Sequence, residues 1–283
     1  MDDGLRTLLW RYKDHGGFEA AYDEQKTETK KHFSVAMLDH SQRLDQAIQG
    51  MFADVNKAFG ESLKFEFGDD DTRTVFRFLA EFDAIFTLNQ DMLIERHYLM
   101  RNPGVLMVPA RTDAYIPGIT IPPGRACDDI LQVSPTDESQ LALHKNRQPY
   151  FKLHGSSNWI DRSSGHPMLV IGGNKASEIG WHPILKWNHE QFGDFLSKRD
   201  TRLMVLGYSF RDEHINDAIA AAADSGSLRL FIIDPDGVDV LDKDYRRKLV
   251  WTDSTDRGPL FNRLRDHFDW RVKAHTARHV RWR

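Results

Sequence analysis

The chain has 283 residues, 40% of them hydrophobic and 28% charged, which is typical of a globular protein with a substantial core. A formal net charge of −4 and a pI near 6.3 argue against a general electrostatic affinity for nucleic acid. The single cysteine, Cys127, excludes an intrachain disulfide and a zinc site built from cysteines.

The first part of the chain, residues 1–82, is predicted to be mainly helical. Apolar side chains recur every three or four positions between residues 31 and 59, which indicates one amphipathic helix. The acidic run at residues 69–71 is expected to be a solvated loop. Thr72 is a suitable N-cap for a helix over residues 74–82.

From residue 83 onward, short apolar runs alternate with helical patterns. This alternation predicts parallel strands joined by helical crossovers, and therefore an α/β, Rossmann-like, doubly wound sheet with a helical N-terminal or insert subdomain. The Pro- and Gly-rich connection between residues 100 and 149 is predicted to be an irregular, functional insert. The predicted strands cover residues 84–88, 150–153, 168–171, 203–206 and 228–233, and the predicted helices cover residues 184–196 and 212–223.

Residues 236–283 are interpreted as a C-terminal extension. Its last segment, residues 270–283, is rich in arginine, tryptophan and histidine, which leaves open a nucleic-acid patch. An exposed strand face or a subunit contact is the favoured interpretation, so direct nucleic-acid binding is not expected. The chain has no apolar run of membrane-spanning length and no signal-like start, so we expect a cytoplasmic protein without membrane contact.

Three polar clusters follow predicted strands, at residues 87–93, 152–157 and 206–210. In open α/β sheets, ligands bind at the carboxyl ends of the strands, so the clusters are expected to form one crevice. Asn89 offers a donor and an acceptor, Asp91 offers a charged acceptor, and His154 could act as a general base. Asp234, after the last strand, could accept a hydrogen bond from a ribose hydroxyl.

Each of these residues also has a structural interpretation. Asn89 could cap the next helix, and Asp91 could be a first-turn carboxylate favoured by the helix dipole. Ser209 could be an N-cap, while Asp234 begins a good turn sequence. Taken singly, His154 would be a hydrogen-bonded structural histidine. The histidines at positions 182, 189 and 214 have no metal-ligand spacing, so no metal is predicted.

The clusters together resemble the sirtuin family. The resemblance rests on three motifs, Thr87-Leu88-Asn89-Gln90-Asp91-Met92-Leu93, Leu153-His154-Gly155-Ser156 and Gly207-Tyr208-Ser209. The segments at residues 171–175 and 207–212 are more similar to bacterial sirtuin-like proteins of anti-phage defence (Thoeris-, HerA-ATPase- or Argonaute-associated) than to protein deacetylases. The resemblance extends from about Phe18 onward.

This resemblance implies a single sirtuin-like domain over residues 1–283, with an NAD-binding part at residues 83–235. It implies that Asn89 and His154 are catalytic, and that NAD⁺ is the substrate, cleaved between nicotinamide and ribose. The implied partners are further copies of the chain and a HerA-type ATPase or an Argonaute-type sensor. The remaining residues implied to contact NAD⁺ are Thr87, Asp91, Gly207, Ser209 and Asp234.

Two departures from the sirtuin pattern keep alternatives open. The family's four-cysteine zinc module is missing, which disfavours an NAD-dependent deacylase. The family's opening strand and glycine-rich pyrophosphate turn are also missing, because Gly16-Gly17 lies between helix-like segments. The chain is therefore expected either to start beyond that loop or to hold the pyrophosphate differently. A nucleotide-binding or assembly subunit with weak or no catalysis is the second hypothesis.

Overall fold

The computed structural model describes residues 3–12, 17–31, 35–61, 75–99, 113–119, 131–133, 141–163, 165, 167–226, 228–234, 237–241 and 258–267. The chain divides into two compact units, Met1–Asn188 and His189–Arg283. The single sirtuin-like domain over residues 1–283 stays a prediction. Within the described ranges, no helix combines the length and apolarity that crossing a bilayer requires.

The N-terminal part of the first unit is helical, as predicted. Its helices are α1 (Asp3–Tyr12), α2 (Gly17–Lys31), α3 (Val35–Glu61) and α4 (Val75–Ala80). The apolar stripe of α3 explains its packing, because Leu44 and Ile48 are buried against Tyr22 of α2 and against Ile171. The predicted cap Thr72 and the acidic run at 69–71 lie outside the described residues.

The described residues of the first unit form six strands in two sheets. They are β1 (Ile85–Thr87), β2 (Ala114–Tyr115), β3 (Leu131–Val133), β4 (Gln148–Lys152), β5 (Gly155–Asp161) and β6 (Pro167–Leu169). In one sheet the order is β1-β4-β2 with parallel pairing throughout. Every residue of β4 is buried, and the Phe86 and Phe151 rings stack across β1 and β4 with centroids 4.6 Å apart. Burial of this kind is what a central parallel strand requires.

The second sheet of this unit differs from the prediction. Its order is β3-β5-β6, and β6 runs antiparallel to β5 with a register shift between Gly155 and Ile160. The apolar run at 168–171 therefore does form a strand, but as the return arm of a hairpin and not after a helical crossover. The strand β5 was not predicted, because its sequence GSSNWID is largely polar. Likewise, β2 and β3 lie inside the connection that was predicted to be irregular.

The core of this unit lies between the second sheet and two helices, α5 (Lys175–Trp181) and α6 (Pro183–Leu196). Trp159 and Met168 are fully buried there, together with Ile179, Ile184 and Leu185. Each aromatic or aliphatic side chain removed from water contributes roughly 1.5–3 kcal/mol to folding. The start of α6 agrees with the predicted helix to within one residue.

In the part of the second unit that the structure describes, two parallel strands, β7 (Thr201–Leu206) and β8 (Leu228–Ile233), are joined by α7 (Glu213–Asp224). A 3₁₀ turn (Gly237–Leu241) and the helix α8 (Pro259–Leu264) follow. The strand–helix–strand unit was predicted with nearly these bounds. Parallel strands with connecting helices confirm the α/β, Rossmann-like fold class. The basic tail at residues 270–283 lies outside the described residues.

Candidate functional site

Two of the three polar clusters emerge from neighbouring parallel strands. Thr87, the last residue of β1, pairs in register with Lys152, the last residue of β4. Just beyond them, the Leu153 amide donates to the Thr87 carbonyl at 2.9 Å. The segment at 87–93 and the segment at 152–157 therefore leave the same edge of one sheet, which is where such sheets bind ligands.

The turn after β1 is built by its own side chains. The Asn89 amide donates to Thr87 Oγ1 at 3.1 Å, and the Leu93 amide donates to Asp91 Oδ1 at 2.9 Å. One carboxylate oxygen of Asp91 thus organises the start of the next helical segment. The Asn89 side chain is exposed, and that of Asp91 is half-buried.

His154 lies between β4 and β5, and only 4% of it is exposed. Its carbonyl accepts a hydrogen bond from the Val170 amide at 3.0 Å, which joins it to the end of β6. Burial and backbone hydrogen bonding hold the histidine in one place beside the turn after β1. Such a group needs little reorganisation before it acts on a ligand.

Asn56 of α3 supports this edge of the sheet from the helical side. Its Nδ2 donates to Ser157 Oγ at 2.9 Å, and its Oδ1 accepts from the Met92 amide at 2.9 Å. One amide side chain thus ties the helix to both polar clusters. The sequence analysis missed Asn56, because an asparagine within a helix can equally face solvent and its partners lie far away in the sequence.

A buried ion pair lies beneath the turn. Lys152 and Glu95 are 0% and 1% exposed, and their Nζ and Oε1 atoms are 2.5 Å apart. The same Nζ donates to the Asp91 carbonyl, and Tyr150 donates from its hydroxyl to Glu95 Oε2 at 3.3 Å. Glu95 begins a π-helix (Glu95–Leu99), a rare form that is frequent at functional sites. The sequence signal for this ion pair was Lys152 inside the predicted strand at residues 150–153, whose other residues are Tyr, Phe and Leu.

The third cluster belongs to the second unit. Gly207 has φ +61°, and its amide donates to the Ile233 carbonyl at 3.0 Å, so the turns after β7 and β8 are adjacent. Ser209 is exposed, and the Asp234 carbonyl accepts from the Gly237 amide at 2.9 Å, as its turn sequence predicted. The interpretation of Ser209 as an N-cap is wrong, because Asp212 occupies that position before α7. A common crevice with the first two clusters stays a prediction.

Tyr208 lies between Gly207 and Ser209, and hydrogen bonds hold its hydroxyl in place. Its hydroxyl donates to Asn216 Oδ1 at 3.0 Å and accepts from the Asp212 amide at 3.2 Å. Burial, assisted by the nearby Asp212 charge, raises the pKa of Tyr208 well above its ordinary value. Its role is to fix the turn around Gly207 and Ser209.

The histidines outside the motifs were predicted to bind no metal, and that stays a prediction. His189 and His214 nevertheless lie together in the second unit, with ring centroids 5.2 Å apart. In the first unit, His182 Nδ1 is 3.8 Å from Asp161 Oδ2. Burial lowers the pKa of His182, and the Asp161 charge opposes that shift without overcoming it.

A comparison of the sequence with known protein families agrees with this placement of polar turns at the ends of parallel strands. The model of the SIR2-like domain matches residues 83–255, more than half of the chain. The chain belongs to the SIR2-like domain family. No curated protein matches it in sequence. Membership of this family indicates an NAD-related function of the sirtuin type.

The SIR2-like match contains all seven residues predicted to catalyse the reaction or contact NAD⁺. It begins at residue 83, however, so α1 to α4 precede it. Asn56, which holds Ser157 and Met92, is therefore contributed by a helix outside the SIR2-like match. Helix α3 therefore supports the candidate site, and truncating the chain to residues 83–255 would remove this helix.

Replacing Gly155 with alanine should destabilise the SIR2-like domain strongly. The backbone at Gly155 has φ +76°, and an added Cβ would lie 1.9 Å from the Met168 carbonyl oxygen. We expect a loss of at least about 2 kcal/mol in unfolding free energy, measured by urea denaturation. Gly226→Ala is the matched control, because Gly226 also has φ +76° but nothing within 4 Å of the added atom. Equal losses in both variants would show that the contact with Met168 is unimportant.

Proposed function

We propose that this protein is a sirtuin-like NAD⁺ hydrolase that cleaves the bond between nicotinamide and ribose. The observation that carries the proposal is the placement of two motif segments at one sheet edge of a SIR2-like domain. An exposed Asn89, a half-buried Asp91 and a buried His154 follow β1 and β4, which are neighbouring parallel strands. An amide, a carboxylate and an imidazole form a donor and acceptor set suited to a ribose and a carboxamide.

The chemistry requires few groups because the leaving group is a good one. The oxygen of a water molecule bonds to C1′ of the ribose, and the C1′–N bond breaks with its electron pair moving to the pyridinium nitrogen. Nicotinamide leaves neutral, ADP-ribose is formed, and the proton lost by the water passes to a base or to solvent. The transition state gathers positive charge on the ribose, so fixed dipoles and charges near it accelerate the reaction.

The roles of the individual residues follow from the family resemblance. In this proposal Asn89 orients the ribose and the attacking water, and His154 is the general base. Asp91 binds the nicotinamide carboxamide. Thr87 shapes the turn that carries Asn89 and Asp91, and the hydrogen bond from the Asn89 amide to Thr87 Oγ1 supports this role. The resemblance also assigns Gly207, Ser209 and Asp234 of the second unit to the adenosine part of the dinucleotide.

The biological setting is proposed from the same resemblance. We infer that NAD⁺ depletion by this enzyme stops phage propagation in bacterial anti-phage defence. The enzyme would then act as a homo-oligomer whose basal NAD⁺ cleavage is raised by a HerA-type ATPase or an Argonaute-type sensor. A gated NAD⁺ hydrolase fits a chain without the four-cysteine module of protein deacylases.

Incubation of the full chain with NAD⁺ tests the proposed activity. We expect nicotinamide and ADP-ribose to appear in equal amounts, without an acyl-lysine peptide, as measured by chromatography. Calorimetric titration with NAD⁺ and with ADP-ribose should be run in parallel. Binding without nicotinamide release would instead support the nucleotide-binding or assembly subunit. Release that strictly requires an acylated peptide would replace hydrolysis by deacylation.

A further inference from the structure

The side chain of Gln90 connects the turn after β1 directly to the backbone at His154. Its Nε2 donates to the His154 carbonyl at 2.9 Å and to the Val170 carbonyl at 2.8 Å. The Gln90 backbone carbonyl in turn accepts from the Ser157 amide at 2.8 Å. A single residue between Asn89 and Asp91 is thus bonded to the backbone of His154, Val170 and Ser157.

These bonds begin where the regular sheet ends. The parallel ladder of β1 and β4 stops at Thr87 and Lys152, and one further backbone bond joins Leu153 to Thr87. Beyond that point, the position of Asn89 relative to His154 depends on hydrogen bonds outside the ladder, which include those of Asn56 and Lys152 described above. Gln90 supplies three of them, two from its side chain and one from its backbone.

The chemistry of the side chain suits this role. A primary amide has two N–H donors on one nitrogen, and here each donor meets a different backbone carbonyl. The His154 carbonyl also accepts from the Val170 amide. It therefore keeps a partner if Gln90 is replaced. Removing the glutamine amide takes a donor from the buried Val170 carbonyl, which should cost about 1–3 kcal/mol of folding stability, and it releases the turn from the histidine segment.

We propose that Gln90 is a positioning residue that sets the placement of Asn89 and Asp91 relative to His154. This inference rests on the proposed function, since it concerns how the same residues are held for NAD⁺ cleavage. Gln90 acts through its neighbours and does not itself need to contact the substrate. A misplacement of reacting groups by about 1 Å can reduce a rate about a hundredfold, so a tether of this kind has a large kinetic effect.

Gln90→Met tests the proposal because methionine has a similar length and no donor. At a temperature well below unfolding, we expect kcat for nicotinamide release to fall about 10- to 100-fold while KM changes less than about threefold. Gln46→Met, on the exposed face of α3, is the matched control and should leave both constants unchanged. A kcat within about twofold of the wild type in Gln90→Met would overturn the proposal while leaving the proposed function intact.

A second measurement does not depend on turnover. Amide hydrogen exchange at Ser157, whose N–H is bonded to the Gln90 carbonyl, should accelerate at least about tenfold in Gln90→Met. Exchange at Leu153, bonded to the Thr87 carbonyl, should stay as in the wild type. If the wild type releases no nicotinamide, the proposed function fails, and hydrogen exchange at Ser157 alone then tests the positioning role of Gln90. Unchanged exchange at Ser157 would then overturn the positioning role.

Discussion

Alanine at position 154 should reduce nicotinamide release from NAD⁺ by at least about a hundredfold, because general acid–base groups contribute about 10²–10⁴ to rates. His154 is buried between the end of β4 and the start of β5, so the variant removes an imidazole that is held in place by its surroundings. Asn89→Ala should have an effect of similar size, since the exposed amide would no longer orient the ribose and water. The measurement is kcat/KM for nicotinamide release by the purified full chain.

Two substitutions of the same types serve as controls for this prediction. His144 and Asn146 lie in the described loop before β4, and both side chains are exposed. His144→Ala and Asn146→Ala should retain kcat/KM within about twofold, because surface substitutions rarely disturb a site. His154→Gln, which preserves bulk and polarity, guards against a loss of folding in His154→Ala. Wild-type turnover by both His154 variants and by Asn89→Ala would contradict the proposed catalytic roles.

The elements that the sequence predicted well are those defined by apolar pattern. The strands β1, β4, β7 and β8 each contain a short run of apolar side chains, and the helices α3, α6 and α7 have regular apolar faces. Burial of those side chains determines where the elements form, so the spacing of apolar residues along the sequence is sufficient to predict these strands and helices. The motif segments could be located for the same reason, since each one directly follows such a strand.

The parts that could not be predicted depend on buried polar groups. The strand β5 carries Ser156 and Asn158 inside the protein, where Ser156 Oγ donates to Asn158 Oδ1 at 2.8 Å. The polar side chains of β5 can be buried because they have hydrogen-bond partners inside the protein. A single sequence does not show which residues those partners are. The bonds of Gln90 to Val170 and of Asn56 to Ser157 join residues far apart in the chain. Contacts of this kind are set by the tertiary fold and not by local propensity.

The Lys152–Glu95 ion pair gives the largest expected effect on stability. Lys152→Met removes the cation and leaves the Glu95 carboxylate buried, with the Tyr150 hydroxyl still donating to it. Breaking a fully buried pair in this way costs about 3–5 kcal/mol, because the remaining charge has lost its counterion. We expect a loss of that size in unfolding free energy, measured by urea denaturation at neutral pH. Lys31→Met, in the exposed pair with Glu28, is the matched control and should change stability little.

The double variant Lys152→Met/Glu95→Leu distinguishes the effect of the unpaired buried charge on stability from the effect of the changed packing. Because the buried carboxylate is also removed, most of the lost stability should return, since apolar residues of similar volume often replace a buried ion pair without cost. The bond from Lys152 Nζ to the Asp91 carbonyl does not return, however. The restored protein should therefore fold normally and still release nicotinamide more slowly than the wild type. A double variant as fast as the wild type would show that the buried lysine stabilises the fold without positioning Asp91.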